Sequence, residues 1–141
     1  MSTPVKDRLR SAALAYTPLT ALIGQNWFDN QLPQEANIPA IVAQQISVRR
    51  LYNLGNRPTR GWWRFQLTVW GGQFSAGAEL RGQIRDVLID FITTTLNLYG
   101  IPSLPAFSNY IDGDRDALFV QTNGPVYQQL VDVVLFVDET I

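Results

Sequence analysis

The sequence predicts an α+β fold: an antiparallel β-sheet with helices packed on one face, in the order α-β-β-α-β-β. Three observations lead there. In "GWWRFQLTVWGG", residues 61–72, Trp63, Phe65, Leu67 and Val69 alternate with Trp62, Arg64, Gln66, Thr68 and Trp70, the period-two pattern of a half-buried strand. Further on, Leu80, Ile84, Val87, Leu88, Phe91 and Thr95 recur at the spacing of one helix face. Near the end, "VYQQLVDVVLFVD" is a long β-branched and apolar run of the kind that forms a strand.

Taken in order, Thr3-Pro4 has the form of an N-cap followed by proline at the first helical position. Val5, Leu9, Ala12, Ala13 and Tyr16 then predict a first helix over about 4–16. Thr17-Pro18 stops it and starts a short turn through Leu19, Leu22 and Ile23 that Gly24 ends. "NWFDNQLPQEANIP" is expected to be extended and loop-like, punctuated by Pro33 and Pro39. "AIVAQQISV" reads as a strand and "RRLYNLGNRPTRG" as the basic, turn-rich loop joining it to the Trp-rich strand. Gly71-Gly72 breaks that strand, and Ser75 is placed to cap the second helix. That helix carries Arg81, Arg85, Asp86 and Asp90 off its apolar face and ends near Asn97 to Gly100. "SNYIDGDRDALFVQT" is expected to be two short extended pieces around a turn, and Asn123-Gly124-Pro125 another turn before the last strand. There is no internal repeat or low-complexity tract, and residues 1–141 form one domain of ordinary size.

Composition excludes several kinds of chemistry. The chain has no cysteine, hence no disulfide framework and no thiolate. It has no histidine, which removes the usual general base, the commonest metal ligand and every Ser-His or Cys-His arrangement. A net charge of −1 does not point to nucleic acid or a membrane surface. "MSTPVKDRLR" lacks the apolar core of a signal peptide, and no apolar run reaches the length of a transmembrane helix.

The most enzyme-like fragment is Asp112-Gly113-Asp114-Arg115-Asp116, three carboxylates at alternating positions as in the start of a calcium loop. Ala117 stands where the loop needs glycine, and Asn123 where it needs a bidentate Glu, so an exposed turn is the expectation. A carboxylate-pair hydrolase needs two buried acids with separated pKa values, and Asp132 is the single acid within an apolar strand. Gly71-Gly72 before a helix matches no phosphate-loop spacing, and no lysine follows it. A small carboxylate-dependent or metal-binding enzyme is therefore the alternative reading.

Charge is more informative. Arg49, Arg50, Arg57, Arg60 and Arg64 lie in or beside one loop with no acid among them. From residue 86 on, Asp86, Asp90, Asp112, Asp114, Asp116, Asp132, Asp138 and Glu139 are set against Arg115 alone. Two solvated segments of opposite sign would produce this. So would a head-to-tail contact in which one subunit's basic segment meets its neighbour's acidic one, a heterologous interface that closes into a ring. Arginines facing DNA phosphate are a third reading. Trp63, Phe65, Leu67 and Val69 are expected in the core. Trp62 and Trp70 pack within the chain or against another subunit, where Trp and Arg are enriched.

The segments "LTALIGQNWFDNQLPQEANIPAIVAQQIS", "RFQLTVWGGQFSAGAELRGQIRDVLIDFI" and "QLVDVVLFV" together resemble the tail-completion and tail-terminator proteins of long-tailed bacteriophages and phage-like particles, over roughly residues 5–138. The order and spacing of elements carry the likeness, not one motif. The Trp- and Arg-rich stretch 51–62 has no counterpart in the family pattern. The resemblance implies a structural virion protein, assembled in the host cytoplasm, that forms a hexameric ring at the head-proximal end of the tail tube. Such a ring stops tube growth and joins tail to head, so its partners are further copies of itself, the tail tube protein and the head completion or connector protein. DNA would pass through the ring without specific contact. The resemblance implies no cofactor, no metal, no membrane and no catalytic residue. The candidates for subunit or tube contact are Arg49, Arg50, Arg57, Arg60, Trp62, Arg64, Trp70, Asp112, Asp114 and Asp116.

Overall fold

The computed structural model describes residues 4–30, 39–50, 60–71, 78–96, 109–121 and 124–138, with side chains described for all of these except 60, 71, 78–80, 116–121, 124–127 and 138. Helix α1 spans Val5–Ala15 and buries Val5, Leu9 and Ala13, the i, i+4, i+8 stripe the periodicity predicts. Pro4 is its N-cap, with no side-chain cap hydrogen bond; the expected Thr3 cap lies outside the described residues. After the extended Tyr16 the chain turns into a true second helix, α2 at Thr17–Ile23, where only a turn was expected. Pro18 fits the first turn of α2, whose N–H groups have no helical partner to lose. Gly24 closes α2 at φ 64°, a left-handed conformation that favours glycine, and its N–H donates to the Thr20 carbonyl at 2.8 Å.

Strand β1 is Trp27–Asp29, β2 is Ala40–Arg50, β3 is Arg60–Gly71, β4 is Tyr110–Gln121 and β5 is Gly124–Asp138. They form one mixed sheet in the order β1-β2-β3-β5-β4. Helix α3, Ala78–Asp90, lies between β3 and β4 in the chain. The α+β class is as predicted, but the element order is α-α-β-β-β-α-β-β and the sheet is not wholly antiparallel. β1, read from sequence as loop, pairs parallel with β2 through Trp27↔Ile41 to Asp29↔Ala43. The fragment around Asp112 is no turn: β4 runs unbroken along β5, with a bulge between Ile111 and Gly113. The bulge absorbs the conformation that the Asp-Gly sequence suggested, while pairing with β5 keeps the strand going.

The core lies between the helices and one face of the sheet. Trp63, Phe65, Leu67 and Val69 on β3, Ile41 and Ala43 on β2, and Val131, Val133, Leu135 and Val137 on β5 meet Leu9, Leu19, Ile84 and Leu88 from the helices. α3 continues into a π-helical turn, Phe91–Thr95, in which the Leu96 N–H donates to the Phe91 carbonyl at 2.9 Å. This widened turn shifts the apolar stripe. Phe91, Ile92 and Leu96 are buried, while Thr95, assigned to the apolar face from sequence, is exposed. Arg81, expected off that face, is buried because it stands three residues before Ile84 on the same side. Among the described residues, no helix is long and apolar enough to cross a membrane.

Candidate functional site on the open sheet face

The sheet face opposite the helices collects most of the candidate residues. Alternation along β3 sends Trp62, Arg64, Gln66, Thr68 and Trp70 to this side, all half-buried, because Trp63, Phe65, Leu67 and Val69 are drawn into the core. Register then sets their neighbours. Arg49 of β2 is opposite Trp62, and Ser47 is opposite Arg64. On the other side Phe136 of β5 is opposite Trp62 and Val134 is opposite Arg64. Beyond β5, Tyr110 of β4 is opposite Val134.

The Trp62 and Phe136 rings pack with centroids 5.0 Å apart and a tilt of 46°. This is a same-chain cross-strand aromatic pair, of the kind that adds about 0.5–1.5 kcal/mol beyond area burial. Trp62, Arg64, Ser47, Arg49, Tyr110 and Val134 line an open groove of about 460 Å³. Its floor is apolar, with Val134 almost fully buried, and its rim carries two guanidinium groups and a phenol.

Arg64 reaches over Val134 and donates from Nη1 to Oδ2 of Asp112. The bulge that leaves Asp112 without a partner on β5 turns its carboxylate to this face. The bond to Asp112 raises the Arg64 pKa further above its ordinary value, so Arg64 is a permanent cation here. One pair of opposite charges expected to meet between subunits is therefore already joined within the chain. Both side chains remain accessible, at 38% and 44%, and Oδ1 of Asp112 keeps lone pairs to offer. A second pair, Arg115 Nη1 to Asp132 Oδ2 at 3.0 Å, neutralises the acid that the sequence showed isolated in an apolar strand.

The other candidates are dispersed. Arg50 lies with its guanidinium carbon 5.6 Å from the centre of the Trp63 ring, within cation–π range. Trp70 is at the far end of β3, eight residues from Trp62, or about 26 Å along the strand. Asp114 is exposed opposite Val131, on the core-face side of β4 rather than beside Asp112. Arg60 begins β3, and Asp116 is opposite Gln129, but the side chains of both lie outside the described residues, as does Arg57 altogether. Arg49 and Arg50 are strand residues rather than members of the loop, and Arg64 is on β3, where the alternation placed it. Sequence reasoning did not single out Ser47, Tyr110, Val134 and Phe136. The exposed phenol of Tyr110, in an otherwise polar stretch, was the signal available for that group.

Among the described residues there is no group of three or more acidic side chains able to hold a metal ion. The carboxylates of Asp112 and Asp114 point to opposite sides of the sheet, as a strand with one bulge requires and a calcium loop forbids.

Residues 7–98 match the family model of tail completion protein gp17. The match covers 92 of the 141 residues, from α1 through α3. Among curated proteins, none matches the chain.

Proposed function

The chain belongs to the tail completion protein gp17 family, a family of phage structural proteins and not an enzyme class, and from that membership we propose that it is a ring-forming virion protein at the head-proximal end of the tail tube. The chain assembles head to tail with further copies of itself into a hexameric ring. One face of the ring meets the last layer of tail tube protein and stops further addition; the other docks to the head completion or connector protein, and the genome passes through the centre. The family match over the first helices and the Trp-rich strand is the observation that carries this reading.

The open sheet face supports it. A groove with an apolar floor and an arginine and tyrosine rim has the composition of protein interfaces, where Tyr, Trp and Arg are enriched at the energetic centre. The charge asymmetry supports a head-to-tail arrangement: Arg49, Arg50, Arg57 and Arg60 on one segment of the sequence and Asp114 and Asp116 on another give each copy two segments of unlike charge. Reversing Arg57 and Arg60 to Glu together should leave the fold intact and prevent rings, and reversing Asp114 and Asp116 to Lys in the same chain should restore part of the assembly. Mass in solution and particle morphology read both effects. Normal rings and infectious particles from the arginine reversal alone would exclude charge pairing at this contact.

A further inference from the structure

We propose that neighbouring copies join through their sheet edges, the free edge of β2 in one copy adding to the free edge of β4 in the next. The proposal rests on the ring-forming reading above and states which strands make the contact.

The two outer edges of the sheet are unlike. β1 covers only Ile41–Ala43 of β2, so among the described residues no strand pairs with residues 44–50 on that side. At the other end, the described partner of β4 is β5 alone, along the whole of Tyr110–Gln121. Unpaired strand edges are templates for another strand. The backbone of β2 already acts as one: the Asn30 N–H donates to the Ala43 carbonyl and the Ile41 N–H donates to the Asn26 carbonyl, both at 2.9 Å. Gln45 is the next residue in that alternating series. Gln44 to Ser47 are all exposed, including Ile46 at 49%.

The edges are complementary in charge. Residues 44–50 carry two arginines and no acid, net +2; residues 110–121 carry three aspartates and one arginine, net −2. They are also compatible in direction. β2, β3, β5 and β4 are successively antiparallel, so β2 and β4 of one copy run opposite ways. A rotation about an axis inclined to the strands by about 35–45°, the tilt that lets a staggered sheet close, preserves that sense. β4 of one copy therefore meets β2 of the next antiparallel, as every pair from β2 to β4 already is.

Sheet faces restrict the register, and charge chooses among those they allow. Core-facing residues must meet core-facing residues, and each edge carries one bulge, at Ile46 and at Asp112. The match pairs Arg50 with Ile111, Arg49 with Asp112 and Gly113, Val48 with Asp114, Ser47 with Arg115, and Gln44 with Ala117. Arg49 then approaches the open side of the Asp112 carboxylate, and Arg50 is diagonal to Asp114, within reach of a long side chain.

The native absence of cysteine makes a direct test available. The variant S47C/R115C places two thiols roughly 20 Å apart within one chain, across three strand spacings and four residues along the strands, but adjacent across the proposed contact. Mild oxidation of its rings should give a ladder of covalent multimers in denaturing gels. S47C/D114C, which puts the second thiol on the opposite face, should give monomer. Q44C/A117C is the second pair in the same register, should the first disturb assembly. If rings form by mass in solution and both same-face pairs stay monomeric, or if the opposite-face control gives the same ladder, the edge contact is wrong while the ring reading stands. Cross-linking only to tail tube protein would also overturn it. Wild-type chain that forms no ring, alone or on tubes, would instead overturn the ring reading itself.

Discussion

Arg64 and Asp112 are joined across an intervening strand: the guanidinium on β3 passes over Val134 of β5 and donates to the carboxylate at the bulge of β4. The three strands are thereby tied on the face away from the helices, and opposite charges 48 positions apart in sequence are neighbours in space.

Because that pair is intramolecular, it should respond to single and double changes as one unit. Arg64→Glu should repel Asp112 and open the groove, and Asp112→Arg should repel Arg64 likewise. The exchange R64E/D112R should recover most of what either single change loses. Both groups are solvent-accessible, so the thermal unfolding shifts will be small; amide hydrogen exchange along β4 is the sensitive readout. Additive losses in the double variant would show that the pair does not act as described.

The inward face of β3 should behave as core. Phe65 and Leu67 are 1% and 0% exposed, and Phe65→Ala or Leu67→Ala should each cost about 2–5 kcal/mol, measured by chemical denaturation. Wild-type stability in either variant would mean that the two faces of the strand are reversed.

Gly61 is required by close approach. A Cβ at this position would press on the Arg49 carbonyl and lie 2.8 Å from Arg50 Cα, both backbone atoms that cannot rotate away. Gly61→Ala should separate β2 from β3 at the end where Arg49 meets Trp62. The expected result is destabilisation of about 1–3 kcal/mol, the range of overpacked sites, with loss of hydrogen-exchange protection at residues 48–50. Gly82→Ala, on the exterior of α3 with open space around it, is the matched control and should stabilise. Equal behaviour of the two variants would contradict the close approach.

Asp112, Asp114 and Asp116 should bind no divalent cation tightly. Calcium takes six to eight oxygen ligands, and strand geometry sends Asp112 and Asp114 to opposite faces. Calorimetry with calcium should show no saturable micromolar binding. Such binding, abolished by Asp114→Ala, would revive the metal-binding alternative.

The physics of each segment determines how much of this was legible in the sequence. The period-two alternation from Trp63 to Val69 and the stripe of α1 are dense, local signals, and they identified the inward residues correctly. β1 is three residues long, too short to show a period, and its parallel partner begins eleven positions later. Asp112-Gly113 carries turn chemistry, yet its cross-strand partners on β5 keep it in a strand; a bulge and a turn use the same residues. Thr95 was misassigned because the π-helical turn breaks the 3.6-residue period that placed it. The candidate site was half legible. Trp62, Arg64 and Arg49 were identified by type and charge, but Val134, Phe136 and Tyr110 join them only through strand order, which no local pattern encodes.

The central claim, that this chain forms a ring at the head-proximal end of the tail tube, is tested most directly by electron microscopy of assembled particles carrying a label on this protein. The account predicts one labelled ring per tail, confined to the end that meets the head, and unterminated tubes without heads when the protein is absent. Label spread along the tube, or finished head-bearing particles that lack the protein, would contradict it.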